Sequence, residues 1–547
     1  MKRIYLVLIA TIAITFVSCS DQEIDTVKPD AGQVAPIIDL PEGATQGRIL
    51  VKFKPEAASF LDAATTRSVG AALTRSGISD MDAVLQRIGT SKLERIFPVD
   101  NRTEERTRKA GLNLWYIIHF DKDTDLEQVA KDLSQVADVA KVQFTRAIQR
   151  SYDPNVRATV LTKQAMTRVV HTTRAVNTDA NDPFFNLQWG CKNDGSILQN
   201  GEKNDKGDNV VPAVMGVDVN CGEAWKLCTG NPSIVVAVLD EGVMYDHPDL
   251  EGNIWVNEDE TFASKEDADG NGYAGDRYGY NFTDDKGYIS YDDPNDTGHG
   301  THVAGIISAV RNNGEGISGI AGGDKANNRG GVKIMSCQVF SGSKGCDLYQ
   351  EAKAVKYAAD NGAVILQCSW GYNSGLSNPI SGYTPGFTSD KDWVDAAPLE
   401  KEAFDYFLHN AGSPNDVIDG GIIVFAAGNE YAAMAGYPGA YPDYISVAAL
   451  AADGTPSCYS NYAMGVSIAA PGGDSDYHQS SKGKIYSTLP PSANEDGGEN
   501  SHYGYMEGTS QACPHISGVA ALGLSYAAEL HRHFRADEFR KMILESV

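Results

Sequence analysis

One serine of the chain has neighbours that suit a nucleophile. Ser510 lies in the run Gly-Thr-Ser-Gln-Ala-Cys-Pro-His of residues 508–515, and the small, apolar residues that follow predict a buried helix. A serine at a helix start is most often an N-cap that accepts hydrogen bonds from unpaired N–H groups. It becomes a nucleophile only when a neighbouring base removes its proton. The interpretation of Ser510 therefore depends on finding a base, a group that orients the base, and an oxyanion donor.

Three other segments supply those groups. Residues 233–240 form a continuous apolar run that ends in Asp240, as expected of a buried parallel strand. His299 stands just before a second run of small helix-forming residues. Residues 420–429 predict another strand, which ends at Asn429. The chain order Asp, His, Ser is the order of the triad in subtilisin.

These segments are similar to the sequence blocks of the subtilisin-like serine peptidases. The blocks stand in the family's order within residues 183–547: Asp240-Glu-Gly-Val with His247-Pro-Asp-Leu250, His299-Gly-Thr-His-Val-Ala-Gly305, Ser369-Trp-Gly371, Ala426-Ala-Gly-Asn429, Tyr437-Pro-Gly-Ala-Tyr-Pro442 and Gly508-Thr-Ser-Gln-Ala-Cys-Pro-His515. Gln511 and Cys513 depart from the residues common in the family. The resemblance implies that Ser369, Trp370 and Gly371 form a substrate-binding strand.

The expected chemistry is acyl transfer at a peptide bond. Ser510 attacks the carbonyl, His299 takes its proton and later gives it to the leaving amine, and Asp240 orients the imidazole. Asn429 and the backbone N–H of Ser510 would hold the oxyanion. Glu241 follows Asp240 directly, and because side chains alternate along a strand we expect it on the other side, without a catalytic role.

The catalytic region alternates strand patterns with helix patterns. The predicted strands are 233–240, 332–339, 363–369, 421–426, 444–447 and 466–469. The predicted helices are 300–311, 348–361, 398–410 and 509–527. This alternation predicts an α/β fold in which a mostly parallel sheet is covered by helices on both faces. The site would lie at the C-terminal ends of the strands.

Residues 47–150 predict a separate α+β domain. Their β-α-β-β-α-β order is typical of a ferredoxin-like fold. By resemblance this domain is the family's propeptide, a folding assistant and intramolecular inhibitor; an unrelated accessory domain is the alternative. Residues 151–181 predict a solvated linker, and we expect processing between Val170 and Asn181. The catalytic domain would then be 182–547, which ends slightly sooner than the family's domain usually does.

The first 18 residues predict an export signal. Lys2 and Arg3 precede an apolar stretch that is too short for a stable membrane span, and the stretch ends at Cys19. The pattern resembles a lipoprotein signal with lipidation of Cys19, and residues 19–46 would be a tether. Plain secretion after cleavage near Ser18 is the alternative. We expect a protein anchored by lipid only, at the bacterial outer membrane or cell surface.

The net charge limits the class of binding partner, and the cysteine content limits the number of disulfides. A formal net charge of −26 argues against nucleic acid, because phosphate binding needs basic patches. The expected partners are protein or peptide substrates and the chain's own propeptide. Nine cysteines in 547 residues imply no disulfide framework, although Cys337 with Cys346 and Cys221 with Cys228 are possible pairs.

Two segments predict structural calcium sites. Asp267, Asp269 and Asn271 offer oxygen ligands at alternate positions, with Asp276 nearby, but Tyr278 stands where a helix-loop-helix site needs Glu. A solvated acidic insertion is the alternative. By resemblance, Asn313 in the loop 312–319 would form a second site with Asp249 and Gln188. His302 lacks a third ligand in a zinc pattern, so we interpret it as a helix residue packed behind the site.

Several questions stay open at this level. Residues 372–396 either wall the cleft or cover surface. Gly436 and Gly439 favour a large apolar substrate residue in the specificity pocket. A non-catalytic peptide-binding protein on the same fold would lack a triad residue, and all the active groups are present here. Neither a narrow nor a broad cleavage preference is indicated.

Overall fold

The computed structural model describes residues 34–39, 42–67, 72–150, 152–161, 179–204, 206–413, 415–493 and 502–546. The signal peptide, Cys19 and most of the predicted processing region lie outside these residues.

The N-terminal domain is built on one mixed sheet. Its strands, in spatial order, are Ile37–Ile38, Val139–Gln143, Arg48–Phe53, Trp115–His119 and Lys92–Arg95. Its helices are Ala58–Arg67, Ser79–Arg87, Glu104–Lys109 and Leu126–Ser134. Apart from the short first strand, which pairs in parallel, the neighbours are antiparallel. The predicted ferredoxin-like fold is confirmed, and Ala58–Arg67 and Glu104–Lys109 are helices that the sequence pattern did not indicate.

The two faces of this small sheet bury different partners. Ile49 and Val51 pack with the domain's own helices. Leu50 points to the opposite face, as alternation along a strand requires, and joins Trp115 in the apolar cluster that also contains Val355 and Phe404 of the catalytic domain. One face of the sheet is therefore the docking surface for the rest of the chain.

The catalytic domain is organised around one mostly parallel sheet. Its strands, in spatial order, are Lys344–Gly345, Lys333–Ser341, Val235–Glu241, Ala363–Cys368, Ile422–Ala426, Ile445–Leu450 and Ile468–Pro471, and Gly279–Asn281 pairs beside Lys333–Ser341. Only the pairing of Lys344–Gly345 is antiparallel among these strands. The longer helices are His299–Ser308, Leu348–Asp360, Pro398–Asn410, Thr509–Glu529 and Ala536–Glu545. The predicted α/β architecture is confirmed.

Helices cover both faces of this sheet. Val236 and Val238 pack on the side of Val303 and Ala512, in the helices His299–Ser308 and Thr509–Glu529. The intervening Ala237 packs on the opposite side, in the cluster that contains Leu348–Asp360 and Pro398–Asn410 residues. A strand buried on both faces explains the uninterrupted apolar run in the sequence.

The remaining strands and turns connect this frame. Short helices are Cys221–Ala224, Asp390–Ala396 and Ser475–His478, and the two-stranded ladders are Gly323–Asp324 with Arg329–Gly330, Ile418–Asp419 with Phe534–Arg535, and Ile485–Thr488 with Tyr503–Met506. All eight cysteines within the described residues are free thiols, so neither candidate pair forms. Among the helices that the structure describes, none combines the length and apolarity needed to cross a membrane.

Candidate active site

The predicted catalytic residues meet where strands end and helices begin. Asp240 is the penultimate residue of the strand Val235–Glu241. His299 is the first residue of the helix His299–Ser308, which we call the histidine helix. Ser510 is the second residue of the helix Thr509–Glu529, which we call the serine helix. All three side chains are buried, in the place that α/β sheets use for their sites.

Asp240 and His299 form a paired acid and base. The His299 Nδ1 atom lies 2.8 Å from Asp240 Oδ1 and 2.9 Å from Oδ2. A carboxylate at Nδ1 places the proton there, so Nε2 is the basic nitrogen. No hydrogen-bond partner for Nε2 exists among the described residues. The imidazole is therefore oriented as a general base.

Ser510 does not yet engage this base. Its Oγ donates to the backbone carbonyl of Ser369 at 3.1 Å. The Ser369 hydroxyl in turn donates to the carbonyl of Ser510 at 2.7 Å. The Ser510 hydroxyl is thus engaged with Ser369, and hydrogen bonds between a nucleophile and its base often tighten only when substrate binds.

Asn429 lies beside the start of the serine helix. Its Oδ1 accepts hydrogen bonds from Thr509 N at 2.9 Å and Thr509 Oγ1 at 3.0 Å. The carbonyl end of the amide therefore faces Thr509, the residue that precedes Ser510. Asn429 and His299 both line the same cleft, of about 620 Å³.

The predicted substrate-binding residues lie next to Ser510. Ser369, Trp370 and Gly371 follow the strand Ala363–Cys368 directly. A side chain at Gly371 would come within 3.1 Å of the Tyr437 carbonyl, and Tyr372 N donates to that carbonyl at 2.7 Å. The edge is thus held against the segment predicted to flank the specificity pocket.

The insertion of residues 372–396 walls the cleft. Asn373, Gly382 and Tyr383 line it together with Asn429. The Tyr383 hydroxyl lies 3.5 Å from the Asn429 carbonyl. Of the two alternatives left by the sequence, the first is the one that the structure shows.

The prediction for Glu241 needs a correction. Its carboxylate lies at the histidine helix, where it accepts from His299 N at 3.0 Å and Thr297 N at 2.9 Å. Glu241 is the last residue of its strand, and its carboxylate supplies acceptors for N–H groups at the start of the helix. Glu241 therefore positions the histidine helix, a role that strand periodicity did not indicate.

Residues before the catalytic domain cover the site. We call residues 146–150 with Tyr152 the cleft segment. The Tyr152 ring stacks on the His299 imidazole with 3.9 Å between centroids and 14° between planes. The Tyr152 hydroxyl donates to Glu241 Oε1 at 3.0 Å. Burial and Glu241 raise the pKa of Tyr152, so the hydroxyl stays a donor. The site is closed by the protein's own chain.

The family models identify this arrangement. The model described as "Subtilase family" matches residues 231–547, and the model of the N-terminal part of that family matches residues 49–195. The chain belongs to the subtilase family. The first match contains Asp240, His299, Asn429 and Ser510, and the second contains most of the small sheet and the cleft segment.

Relatives of this subtilase come from several organisms. It is 30% identical over 323 residues to halolysin of Haloferax mediterranei, a match that covers 58% of this chain and 47% of halolysin. It is 26% identical over 302 residues to the thermophilic serine proteinase of a Bacillus species, covering 55% of this chain and 54% of that protein. Thermitase of Thermoactinomyces vulgaris is 29% identical over 307 residues, with 56% and 79% covered. The chain thus spans about half the length of the first two.

A solved structure resembles the fold of the subtilase. Fervidolysin from Fervidobacterium pennivorans, a keratinolytic enzyme related to subtilisin, aligns with a TM-score of 0.49 at 22% identity and covers 90% of this chain and 56% of its own.

His302 packs behind the catalytic residues of the subtilase. It is fully buried, and its Nε2 lies 3.2 Å from the Ile485 carbonyl and 3.3 Å from the Gly504 carbonyl. Burial lowers the pKa of His302 to about 3, so the ring is neutral and Nε2 donates. These contacts hold the histidine helix against the ladder of Ile485–Thr488 and Tyr503–Met506.

One predicted calcium segment gathers carboxylates. Oxygens of Glu260, Asp267 and Asp269 lie within 4.8 Å of one another. Asn271 instead donates its amide to Asp276 Oδ2 at 2.9 Å and accepts from Tyr273 N at 2.7 Å. The set fits the oxygen chemistry of calcium. Glu260, seven residues before Asp267, was not predicted, since no ligand spacing links it to the loop.

The other predicted calcium set fits less well. Asn313 Nδ2 donates to Asp249 Oδ1 at 2.7 Å, and Ile317 N donates to Oδ2 at 2.9 Å. Gln188 Oε1 accepts from Ser318 N at 2.7 Å. These oxygens accept from protein donors, and calcium at this loop stays a prediction.

Proposed function

We propose that this subtilase is a serine endopeptidase that hydrolyses peptide bonds in proteins. The observation that carries the proposal is the Asp240–His299 pair placed beside Ser510 at the start of a helix. In that mechanism, substrate entry turns the Ser510 hydroxyl to His299 Nε2, which removes the proton as Oγ attacks the carbonyl. Asn429 Nδ2 and the Ser510 backbone N–H hold the oxyanion, and His299 returns the proton to the leaving amine.

The chain is made as a zymogen in this proposal. The small domain docks beside the catalytic sheet, and the cleft segment covers His299. The predicted cleavage between Val170 and Asn181 would release the covalent connection that keeps the segment in place. Most of that stretch lies outside the described residues, so this position remains a proposal.

Intact mass tests the two ideas together. The full chain from Ser20 onward is incubated beside a Ser510→Ala version. We expect the wild type to lose a fragment ending between Val170 and Asn181 and then to cleave casein, while the Ala version stays whole. Equal cutting of both would show that Ser510 does not perform the cleavage. If both stay whole, trypsin at a limiting dose followed by the casein assay separates a need for outside processing from an inactive site.

The oxyanion role of Asn429 has its own test. We expect Asn429→Leu to lower kcat by about 100- to 1,000-fold with little change in KM, the loss known for the equivalent Asn in a subtilisin. A variant with unchanged kcat would remove Asn429 from the mechanism.

The proposed calcium site is Glu260, Asp267 and Asp269, supported by their convergent oxygens. Calcium there would tie down a loop of the catalytic domain without taking part in the reaction. At 100 times the dissociation constant a bound ion stabilises the fold by about 2.7 kcal/mol. We expect calcium to raise the unfolding temperature of the Ser510→Ala chain, and Asp267→Asn to abolish the rise. Exposed Asp292→Asn is the matched control.

We also propose export and lipidation at Cys19, on the basis of the charged start and apolar stretch of residues 1–18. Metabolic labelling with a fatty acid analogue tests this, since Cys19→Ser should lose the label. A labelled Cys19→Ser chain would place the modification elsewhere.

A further inference from the structure

The cleft segment enters the site as an extended chain beside an edge. Leu348 N donates to the Arg146 carbonyl at 3.0 Å, and Ile148 N donates to the Cys346 carbonyl at 2.9 Å. Ala147 and Asp347 form an antiparallel bridge between these two bonds. A peptide that adds to a sheet edge in this way presents alternate side chains to pockets of the protein. The segment therefore marks where substrate side chains can go.

Ile148 and Arg150 are on the same side of this extended segment. Ile148 is buried in the apolar cluster that contains Phe340. Arg150, two residues on, leaves only 8% of its side chain exposed. Its guanidinium carbon lies 5.2 Å from the centre of the Phe340 ring. The first position is apolar, and the second is occupied by a cation.

Three oxygens surround the Arg150 guanidinium. Its Nη2 lies 2.7 Å from the Gly342 carbonyl. The same nitrogen lies 3.4 Å from Glu241 Oε1 and 3.3 Å from Asp296 Oδ1. Both carboxylates are buried, with 1% and 2% of their side chains exposed. Two buried carboxylates next to each other repel unless a cation joins them.

The acidic pair of Glu241 and Asp296 is not saturated with hydrogen-bond donors. Asp296 Oδ2 has no hydrogen-bond partner within the described residues, while Oδ1 accepts from Gly342 N at 2.7 Å. When the cleft segment leaves, Arg150 leaves with it, and the pair loses its cation. Two neighbouring carboxylates without a counter-charge repel each other, so the open cleft favours a ligand that replaces the guanidinium.

We propose that Glu241 and Asp296 form a substrate subsite for an arginine or lysine side chain, on the amino-terminal side of the cleaved bond. Because the cleft segment runs from the edge toward His299, the side chain that replaces Arg150 precedes the residue that reaches His299. An apolar side chain two residues earlier would occupy the position of Ile148. The substrate class is thus peptides with an apolar residue, any residue, and a basic residue in that order. This inference rests on the proposed endopeptidase function.

A mutant cycle tests the subsite without needing activity. In the full Ser510→Ala chain, urea unfolding is compared for Arg150→Gln, Asp296→Asn and the double variant. The measurement is made at about pH 9, because burial and Glu241 raise the pKa of Asp296 to about 8 and the carboxyl must be charged. We expect the double variant to be more stable than additivity predicts, by about tenfold in the unfolding equilibrium constant. Arg150→Gln with exposed Asp292→Asn should be additive. Additivity in the first cycle as well would overturn the subsite.

Peptide cleavage by the processed wild type tests the specificity. Matched peptides carry arginine or its uncharged analogue citrulline at each position before the cleaved bond. At one position we expect kcat/KM to be about 30-fold higher for the arginine peptide than for the citrulline peptide. In Asp296→Asn this arginine-to-citrulline ratio should be lower. Equal rates at every position would overturn the subsite while leaving the peptidase function intact. Coupling in the unfolding cycle without cleavage of any peptide would contradict the proposed function and keep the cation site.

Discussion

The N-terminal part of the subtilase touches the catalytic domain in two regions of opposite character. One region is the face of the small sheet, where Trp115 is buried and its Nε1 donates to Glu402 at 2.8 Å. Lys52 pairs with the same carboxylate at 2.7 Å, and Arg106 pairs with Asp360 at 2.9 Å. The other region is the cleft segment, a few residues that cover His299.

The two regions have different roles. The sheet face holds the N-terminal domain against the catalytic domain, and the cleft segment blocks the site. The sheet face buries a broad apolar surface against the helices Leu348–Asp360 and Pro398–Asn410, where most of the free energy of docking should come from. The cleft segment buries less apolar surface but occupies the positions that substrate needs. A domain organised in this way can bind tightly through one surface and leave the cleft through the other.

The largest effect should come from the sheet face. Trp115→Ala removes a fully buried indole that bridges the two domains, so we expect a loss of about 3–5 kcal/mol in the free energy of unfolding. Urea unfolding of the Ser510→Ala chain measures it. Phe60→Ala is the control, since Phe60 is 53% exposed in the same domain and should change little. A small loss for Trp115→Ala would show that other contacts supply most of the free energy of docking.

The next effect tests the polar groups of the cleft. Glu241→Ala leaves the N–H groups of Thr297 and His299 without their acceptor, which should cost about 1–3 kcal/mol of stability. Glu241→Gln retains an acceptor oxygen and should recover most of that stability. Equal losses in the two variants would show that the carboxylate charge, not the helix-start hydrogen bonds, is what matters.

A smaller effect on stability, with a clear functional sign, is expected at Tyr152. Tyr152→Ala removes the ring from His299 and should cost about 1 kcal/mol, because stacked rings contribute about 0.5–1.5 kcal/mol. The same change should raise the rate at which a fluorophosphonate labels Ser510 in the unprocessed chain by about tenfold. Tyr152→Phe keeps the stack and should label more slowly than Tyr152→Ala. If Tyr152→Ala destabilised the chain as much as Trp115→Ala, the cleft segment would contribute to docking as strongly as the sheet face, which contradicts the separate roles of the two regions.

The smallest expected effect is a pH dependence of the acidic pair. Burial and then Glu241 raise the pKa of Asp296 to about 8, while Arg150 opposes the rise and Asp293 adds to it. A carboxyl with a raised pKa is neutral below it and negative above it, so the pair gains charge as the pH rises through about 8.

The arginine-to-citrulline ratio in kcat/KM should therefore grow by about threefold to tenfold between pH 7 and pH 9. The ratio cancels any pH dependence of the catalytic step itself, since that step is common to both substrates. Asp296→Asn should flatten the pH dependence, and a ratio that falls with pH would contradict the assignment.

Much of the site was predictable because its residues stand at the ends of regular elements. Asp240 ends an apolar run, and His299 and Ser510 begin helices of small residues, so local pattern and chain order were sufficient. The mostly parallel sheet with helices on both faces followed from the alternation of strands and helices. The helix Ala58–Arg67 has no clear apolar period in the sequence. Among its side chains that the structure describes, only Leu61 and Ala64 are buried.

The remaining site residues depend on long-range geometry. Glu241 reaches the histidine helix through N–H groups 56 and 58 residues later in the chain, contacts that no periodicity rule contains. Arg150 and Tyr152 meet partners roughly 90–200 residues later in the chain, and nothing in their own neighbourhood indicates a cleft. Glu260 joins the acidic loop through backbone N–H groups of residues 268, 269 and 275, contacts that only the folded chain defines.

Blocking of the site by the cleft segment is tested most directly by the rate at which a fluorophosphonate labels Ser510 before and after the N-terminal part is cleaved off. We expect slow labelling of the intact chain, rapid labelling after processing, and none in Ser510→Ala at either stage. Equal labelling before and after processing would show that the cleft segment does not block the site. A processed, folded chain that never labels would show that Ser510 is not an activated nucleophile.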